Sequence, residues 1–236
     1  MPRTASKKTT SSSKSTSRSA SQGNTSRSNG ATRSGATARG GRSGSASPTS
    51  RNRGAAKEVE RGSMLHEFFM DTLKDIYWAE KAQLKAMQKM RKQSTTEDLV
   101  DAFEQHRMQT ETHVERLEQI FEMMGKKAQA KKCEAMAGLI EEANNVMEET
   151  ADDTYTRDCA LIVSAQKAEH YEIASYGSLV ILARAMGHSE AAELLQETLD
   201  EEKETDQLLT QIAESYINEE ALSEGSGEEE SEEEEE

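Results

Sequence analysis

Four stretches of the chain carry apolar residues at alternating steps of three and four, the period of one face of an α-helix. The first stripe is Phe69, Leu73, Ile76, Glu80, Leu84 and Met87, and the second is Leu99, Phe103, His106, Thr110, His113, Leu117 and Ile120. The third runs through Ile162, Ala165, Glu169, Glu172, Tyr176 and Leu179, and the last through Leu195, Leu199, Glu202, Asp206, Leu209 and Ala213. Prolines occur only at positions 2 and 48, so nothing between the stripes forbids long helices. Breaks at Ser94-Thr95-Thr96, Gly125, Ala151 to Thr154 and Gly187-His188-Ser189 predict helices over 64–92, 96–124, 128–149, 155–186 and 189–217.

Every stripe is interrupted near its middle by polar side chains. Helices joined by short loops lie antiparallel, so turns at Ser94 and Gly187 make two hairpins and leave 125–154 as a crossover with its own short helix. The fold class this predicts is all-α, a four-helix bundle with a fifth helix in the crossover. Folding the hairpins brings Glu80, His106, His113, Glu169, Glu172, Glu202 and Asp206 to similar heights inside it. Five carboxylates cannot all stay ionised together in a low-dielectric core without cations. Two divalent metals would neutralise most of that charge, and oxygen plus imidazole donors suit iron or manganese, with zinc as a further option.

Composition divides the chain in three. Residues 1–62 are rich in Ser, Thr, Gly and Arg, and up to Gly54 hold no Leu, Ile, Val, Phe, Tyr or Trp. Such a segment cannot bury enough apolar surface to offset its ordering entropy, and it reads as a disordered basic tail. Its 13 Lys/Arg against 2 Asp/Glu give +11, while residues 219–236 carry 11 Glu and no base. The latter read as a disordered acidic tail, which leaves 63–218 as the folded domain. The overall charge of −15 therefore conceals a cationic arm suited to sequence-independent contact with nucleic acid. No run is apolar enough to span a membrane or to form the core of a signal peptide. Cys133 and Cys159 form no CxxC and fit a reducing compartment. The core also lacks a phosphate-binding glycine loop, a nucleophile elbow and zinc-finger spacing.

The segments MDTLKDIYWAEKAQLKAM, CEAMAGLIEEAN, RDCALIVSAQKAEHYEIASYGSL and LLQETLDEEKETDQLL resemble the YciE/YciF-type branch of ferritin-like proteins over roughly residues 64–215. That resemblance implies a ferritin-like four-helix bundle with an additional short helix, in a cytoplasmic, dimeric protein linked to stress responses. The wider superfamily binds two metals through a Glu from each of two helices and a Glu-x-x-His from each of the others. Glu80 fits the first helix, Glu169 and Glu172 the third, and Glu202 the fourth. The second helix offers His106 and His113 without a carboxylate on the stripe, Glu111 lying about 100° away. On the last helix Thr205 or Asp206 stands where the superfamily has His. The leading expectation is a di-metal protein handling iron, dioxygen or peroxide, and hence a candidate oxidoreductase. The alternatives are a scaffold whose basic arm contacts nucleic acid and a metal-free structural bundle.

Overall fold

A computed structural model describes residues 63–224, and the expected basic tail and the acidic residues 225–236 lie outside them. The helices are α1 (Met64–Gln93), α2 (Glu97–Met123), α3 (Glu134–Glu149), α4 (Tyr155–Ala185) and α5 (Ser189–Ile212). A π-helical turn, Ala213–Ile217, joins α5 to the short α6 (Asn218–Glu224). Neighbouring long helices pack in the cyclic order α1, α2, α5, α4, with α3 laid over the seam between α1 and α4. This is the expected all-α bundle with a helical crossover.

Helix ends follow local chemistry. Gly125 (φ 69°) and Gly187 (φ 76°) end α2 and α4 in the left-handed conformation that glycine alone adopts without strain. At each, the next amide turns back onto the helix: Lys126 N donates to Phe121 O at 2.9 Å and His188 N to Ala183 O at 2.9 Å. Thr96 caps α2 by position, but its own side chain makes no cap bond. Asp158, buried on α4, supplies it instead, accepting from Thr95 N (2.7 Å), Thr96 N (2.8 Å) and Thr96 Oγ1 (2.7 Å). A carboxylate at a helix N-terminus also meets the positive end of its dipole.

Two boundaries and one inward position differ from expectation. The third helix starts at Glu134 rather than 128, because Lys131 N bonds to Lys74 O at 3.0 Å and the Cys133 thiol caps Met136 N at 3.3 Å. In α1 the inward position is Gln83, and Leu84 is only half-buried. Helix also extends to Glu224, past the expected boundary at 218. Its carboxylate accepts from the amides of Tyr155 (2.7 Å) and Thr156 (3.0 Å), tying the C-terminal helix to the start of α4.

The core is two apolar blocks. One gathers Phe69, Leu73, Ile76, Leu117, Phe121 and Leu195 toward the glycine turns, and the other Leu99, Phe103, Leu161, Ile162, Leu209 and Ile212 toward the Ser94 turn. Between them lies a buried polar layer of Glu80, Gln83, His106, Thr110, His113, Glu169, Glu172, Glu202 and Thr205.

Candidate metal centre

Each long helix contributes to this layer because its stripe continues inward while the residue type changes. Six of the seven expected side chains converge into two groups whose ligand atoms lie within 4.8 Å of one another: His106, Glu169, Glu172 and Glu202, and Glu80, His113 and Glu202. Glu202 belongs to both. Its Oε2 lies 3.8 Å from His106 Nε2, and its Oε1 lies 3.1 Å from His113 Nδ1. His106 Nε2 is also 3.2 Å from Glu169 Oε1, and His113 Nδ1 is 3.6 Å from Glu80 Oε1. One carboxylate thus presents its two oxygens to two separate donor sets.

The seventh residue, Asp206, lies outside both groups. One residue is about 100° of helix, so inward-facing Thr205 turns its neighbour aside. Asp206 accepts from the Gln166 amide at 3.2 Å and meets the exposed His170 imidazole at 3.3 Å, a link between α4 and α5. Glu111 points outward and pairs with Arg107 at 2.6 Å.

Second contacts select the free nitrogen of each imidazole. Thr205 Oγ1 donates to Glu201 O at 3.1 Å, so toward His106 Nδ1, 3.3 Å away, its oxygen acts as acceptor. A proton then sits on Nδ1, and Nε2 is the nitrogen that faces the carboxylates. On His113, Nε2–H donates to Glu201 Oε2 at 2.8 Å, leaving Nδ1 for the layer. Arg116 grips Glu201 through Nη1 (2.5 Å) and Nη2 (2.9 Å) and holds its carboxyl below the usual range. Tyr176, fully buried, donates its hydroxyl proton to Glu80 Oε1. Glu201 and Arg116 sit off the stripes, and nothing in the spacing marks them.

Much of the layer is unsatisfied without a cation. Both oxygens of Glu172 and of Glu202, Oε2 of Glu80 and of Glu169, His106 Nε2 and His113 Nδ1 are buried with no hydrogen-bond partner. An unpaired buried polar group costs roughly 1–3 kcal/mol, and a charged one more. Protons are the other source of compensation. Burial, then repulsion from Glu80, Glu202 and Glu169, raises Glu172 well above the carboxylate range. Burial likewise raises Glu202 to about 8, although His113 works against it. Burial opposes charge on His106, but Glu169 and Glu202 outweigh it and push the imidazole up to about 9. His113, also opposed by burial, is pushed up to about 11 by Glu80 and Glu202. The orphaned atoms are the coordinating ones, and their oxygen and imidazole chemistry fits iron or manganese.

Known proteins share this architecture. Protein YciF of Escherichia coli (strain K12) is 46% identical over 158 residues, covering 66% of this chain and 95% of YciF. The crystal structure of the E. coli stress protein YciF matches with a TM-score of 0.63 at 44% identity, over 66% of this chain and 98% of that one. YcfI of Rhodopseudomonas palustris, which is called a structural protein, matches with a TM-score of 0.61 at 37% identity, over 63% and 94% of the two chains. A protein of Xanthomonas campestris shares the fold at 23% identity, with a TM-score of 0.56 over 69% and 99% of the two chains. A family model described as "Domain of unknown function (DUF892)" matches residues 64–222, and the chain belongs to that family.

Proposed function

We propose that the chain is a cytoplasmic ferritin-like metalloprotein that holds two iron or manganese ions and handles iron, dioxygen or peroxide under stress. The observation that carries this reading is Glu202, buried, without a hydrogen-bond partner, and turned through separate oxygens toward two donor sets. His106, Glu169 and Glu172 would hold one ion, Glu80 and His113 the other, and Glu202 would bridge them. Bound there, redox-active ions would supply electron transfer and Lewis acidity. The chain's part is to fix the donors. Arg116 and Glu201 orient His113, Thr205 orients His106, and Tyr176 holds Glu80 in place.

The proposed role in stress follows from the likeness to the E. coli stress protein YciF. The test is elemental mass spectrometry of purified protein beside Glu202→Ala. The reading expects two ions per chain in the first, and a large loss with retained helicity in the second. Equal metal content in both would refute it.

A second reading is a metal-free structural bundle, favoured by the raised Glu172 and Glu202, which can hold protons where ions would sit. It predicts no metal uptake and no effect of chelator. Two proposals stand beside either reading. Val163 and Ile181, 52% and 67% exposed on α4, would be covered in a homodimer, and equilibrium sedimentation at the monomer mass would exclude this. The arm 1–62 would hold nucleic acid by charge alone, so deleting residues 1–60 should abolish DNA retention in a salt-titrated shift assay.

A further inference from the structure

The outer face of α1 turns basic toward its C-terminal end. From position 81 to 92 it carries Lys81, Lys85, Lys89, Arg91 and Lys92 and no acid, in a domain whose acids outnumber its bases. Lys81, Lys85 and Lys89 are exposed and rim a groove of about 610 Å³ between α1 and the crossover helix. Trp78, Ala86, Ala137 and Ile140 form its apolar floor, and no Asp or Glu lines it. Arg91 is paired with Glu104 at 3.4 Å. Among the described residues, none of the three rim lysines is paired with a carboxylate. Lys81 donates to the Tyr77 hydroxyl at 3.2 Å and Lys89 to Asn144 Oδ1 at 2.7 Å, both neutral groups.

The complementary charge begins close by. Glu224 accepts from the amides of Tyr155 and Thr156 at the start of α4. The next residue, Arg157, donates to Gln93 Oε1 at 2.7 Å, and Gln93 ends α1. Lys89 stands about 6 Å back along that helix. The 12 residues that follow Glu224 reach up to about 40 Å when extended. The basic arm joins α1 at its other end, and the 30 residues of that helix set the two ends about 45 Å apart. Spacing matches as well as charge. Lysines four apart recur about every 6 Å along a helix, and alternate residues of an extended chain lie about 6.5–7 Å apart on one side. Glu228, Glu230, Glu232, Glu234 and Glu236 give an extended run one unbroken row of carboxylates, after the uncharged spacer Gly225-Ser226-Gly227. This run lies beyond residues 64–222, which carry the family match.

We propose that the acidic run 228–236 docks in this groove in extended form, entering beside Lys89 and following Lys85 to Lys81. Its carboxylates meet the lysine rim, and its aliphatic stems lie over Trp78 and Ile140. Exposed ion pairs are individually weak. The short spacer compensates by holding the run at about millimolar effective concentration beside the rim. In place, the run clasps the crossover helix to α1. The contact is electrostatic at the surface, so it weakens as salt is added.

Zero-length cross-linking tests this on the full-length chain. A carbodiimide joins a carboxylate to a lysine amine only where the two are in contact, and the joined peptides are identified by mass spectrometry. The proposal expects links from Glu228–Glu236 to Lys81, Lys85 or Lys89 at low salt. Their yield should fall several-fold at about 1 M salt, where screening acts within about 3 Å, and the Lys81 link should fall likewise in Lys85→Glu/Lys89→Glu. An equal mixture of isotope-labelled and unlabelled chains shows whose run is joined. Links confined to Lys7, Lys8, Lys14 or Lys57 of the arm, links formed only between copies, or no link at the rim overturn the proposal. Trp78 is the one tryptophan of the chain and gives an independent reading. Its indole N–H resonance should move when the glutamates of 228–236 are all changed to Gln, and an unmoved resonance also overturns the proposal.

Discussion

Replacing Glu172 by Leu should stabilise the metal-free protein, the opposite of what a polar-to-apolar change does where the polar group is satisfied. Glu172 is fully buried, and neither carboxylate oxygen has a hydrogen-bond partner. Three further carboxylates, Glu80, Glu202 and Glu169, act against its charge. One unsatisfied buried group costs about 1–3 kcal/mol, while fitting a branched side chain into a packed layer costs about 1–3 kcal/mol. Apolar burial of the Leu side chain returns about 1.5–3 kcal/mol. Taking the middle of each range, the net is about 2 kcal/mol, inside the roughly 1–4 kcal/mol seen when buried charged groups are replaced by apolar ones. For a domain of this size each kcal/mol moves the melting temperature by about 2–4 °C. Calorimetry at pH 8 in chelator should therefore place Glu172→Leu about 2–16 °C above the native chain. With metal at about 1,000 times its Kd the order reverses, because the ligand adds about 4.1 kcal/mol to the native protein and nothing to a variant that cannot hold it. A variant that melts below the native chain in chelator would refute the reasoning.

The remaining predictions concern protons, orientation and packing. Glu172 and Glu202 are raised, Glu202 to about 8, and His106 is raised to about 9, so the folded state binds more protons than the unfolded one. Stability from Glu202 is complete below about 4.5 and is lost as pH rises through about 8, that from Glu172 is lost in the same direction above the carboxylate range, and that from His106 is complete below about 6.5 and lost through about 9. Urea midpoints of metal-free protein should fall steadily from pH 5 to 9, and a flat or rising profile would contradict the assignment. Glu201→Gln removes the carboxylate that orients His113, and should weaken metal binding by about 10–100-fold in a chelator competition while the fold is retained. Unchanged affinity would make the Arg116–Glu201 pair purely structural. Leu199→Ala, in the apolar block, should cost about 2–5 kcal/mol in a denaturant titration, whereas Glu193→Ala on the outer face of α5 should barely move the midpoint.

Much of this arrangement was legible because a helical stripe reports which face is inward whatever residue occupies it. His106, Thr110 and His113 continue the line from Leu99 to Ile120, and all are buried. The reading failed where two adjacent residues both suit the stripe. Leu84 is apolar, yet Gln83 is the buried neighbour; Asp206 is acidic, yet Thr205 faces His106. Hydrophobicity and charge are poor guides there, since the local rotation of the helix is set by packing against its neighbours. Partners from other elements left no local trace either. Asp158 caps α2 from 62 residues away, and Glu224 caps α4 from 68. Nothing in the sequence singles out Glu201 beside Glu202, because its role depends on Arg116 lying across the α2–α5 interface.

Metal stoichiometry with and without Glu202 tests the central claim most directly. Protein purified without chelator, or reconstituted with ferrous or manganous ion, is analysed by elemental mass spectrometry and melted with and without chelator. The account predicts two ions per chain, a lower melting temperature once they are stripped, and loss of both effects in Glu202→Ala. A native chain that takes up no metal and melts identically with chelator would contradict it, leaving the buried carboxylates as a protonated structural layer.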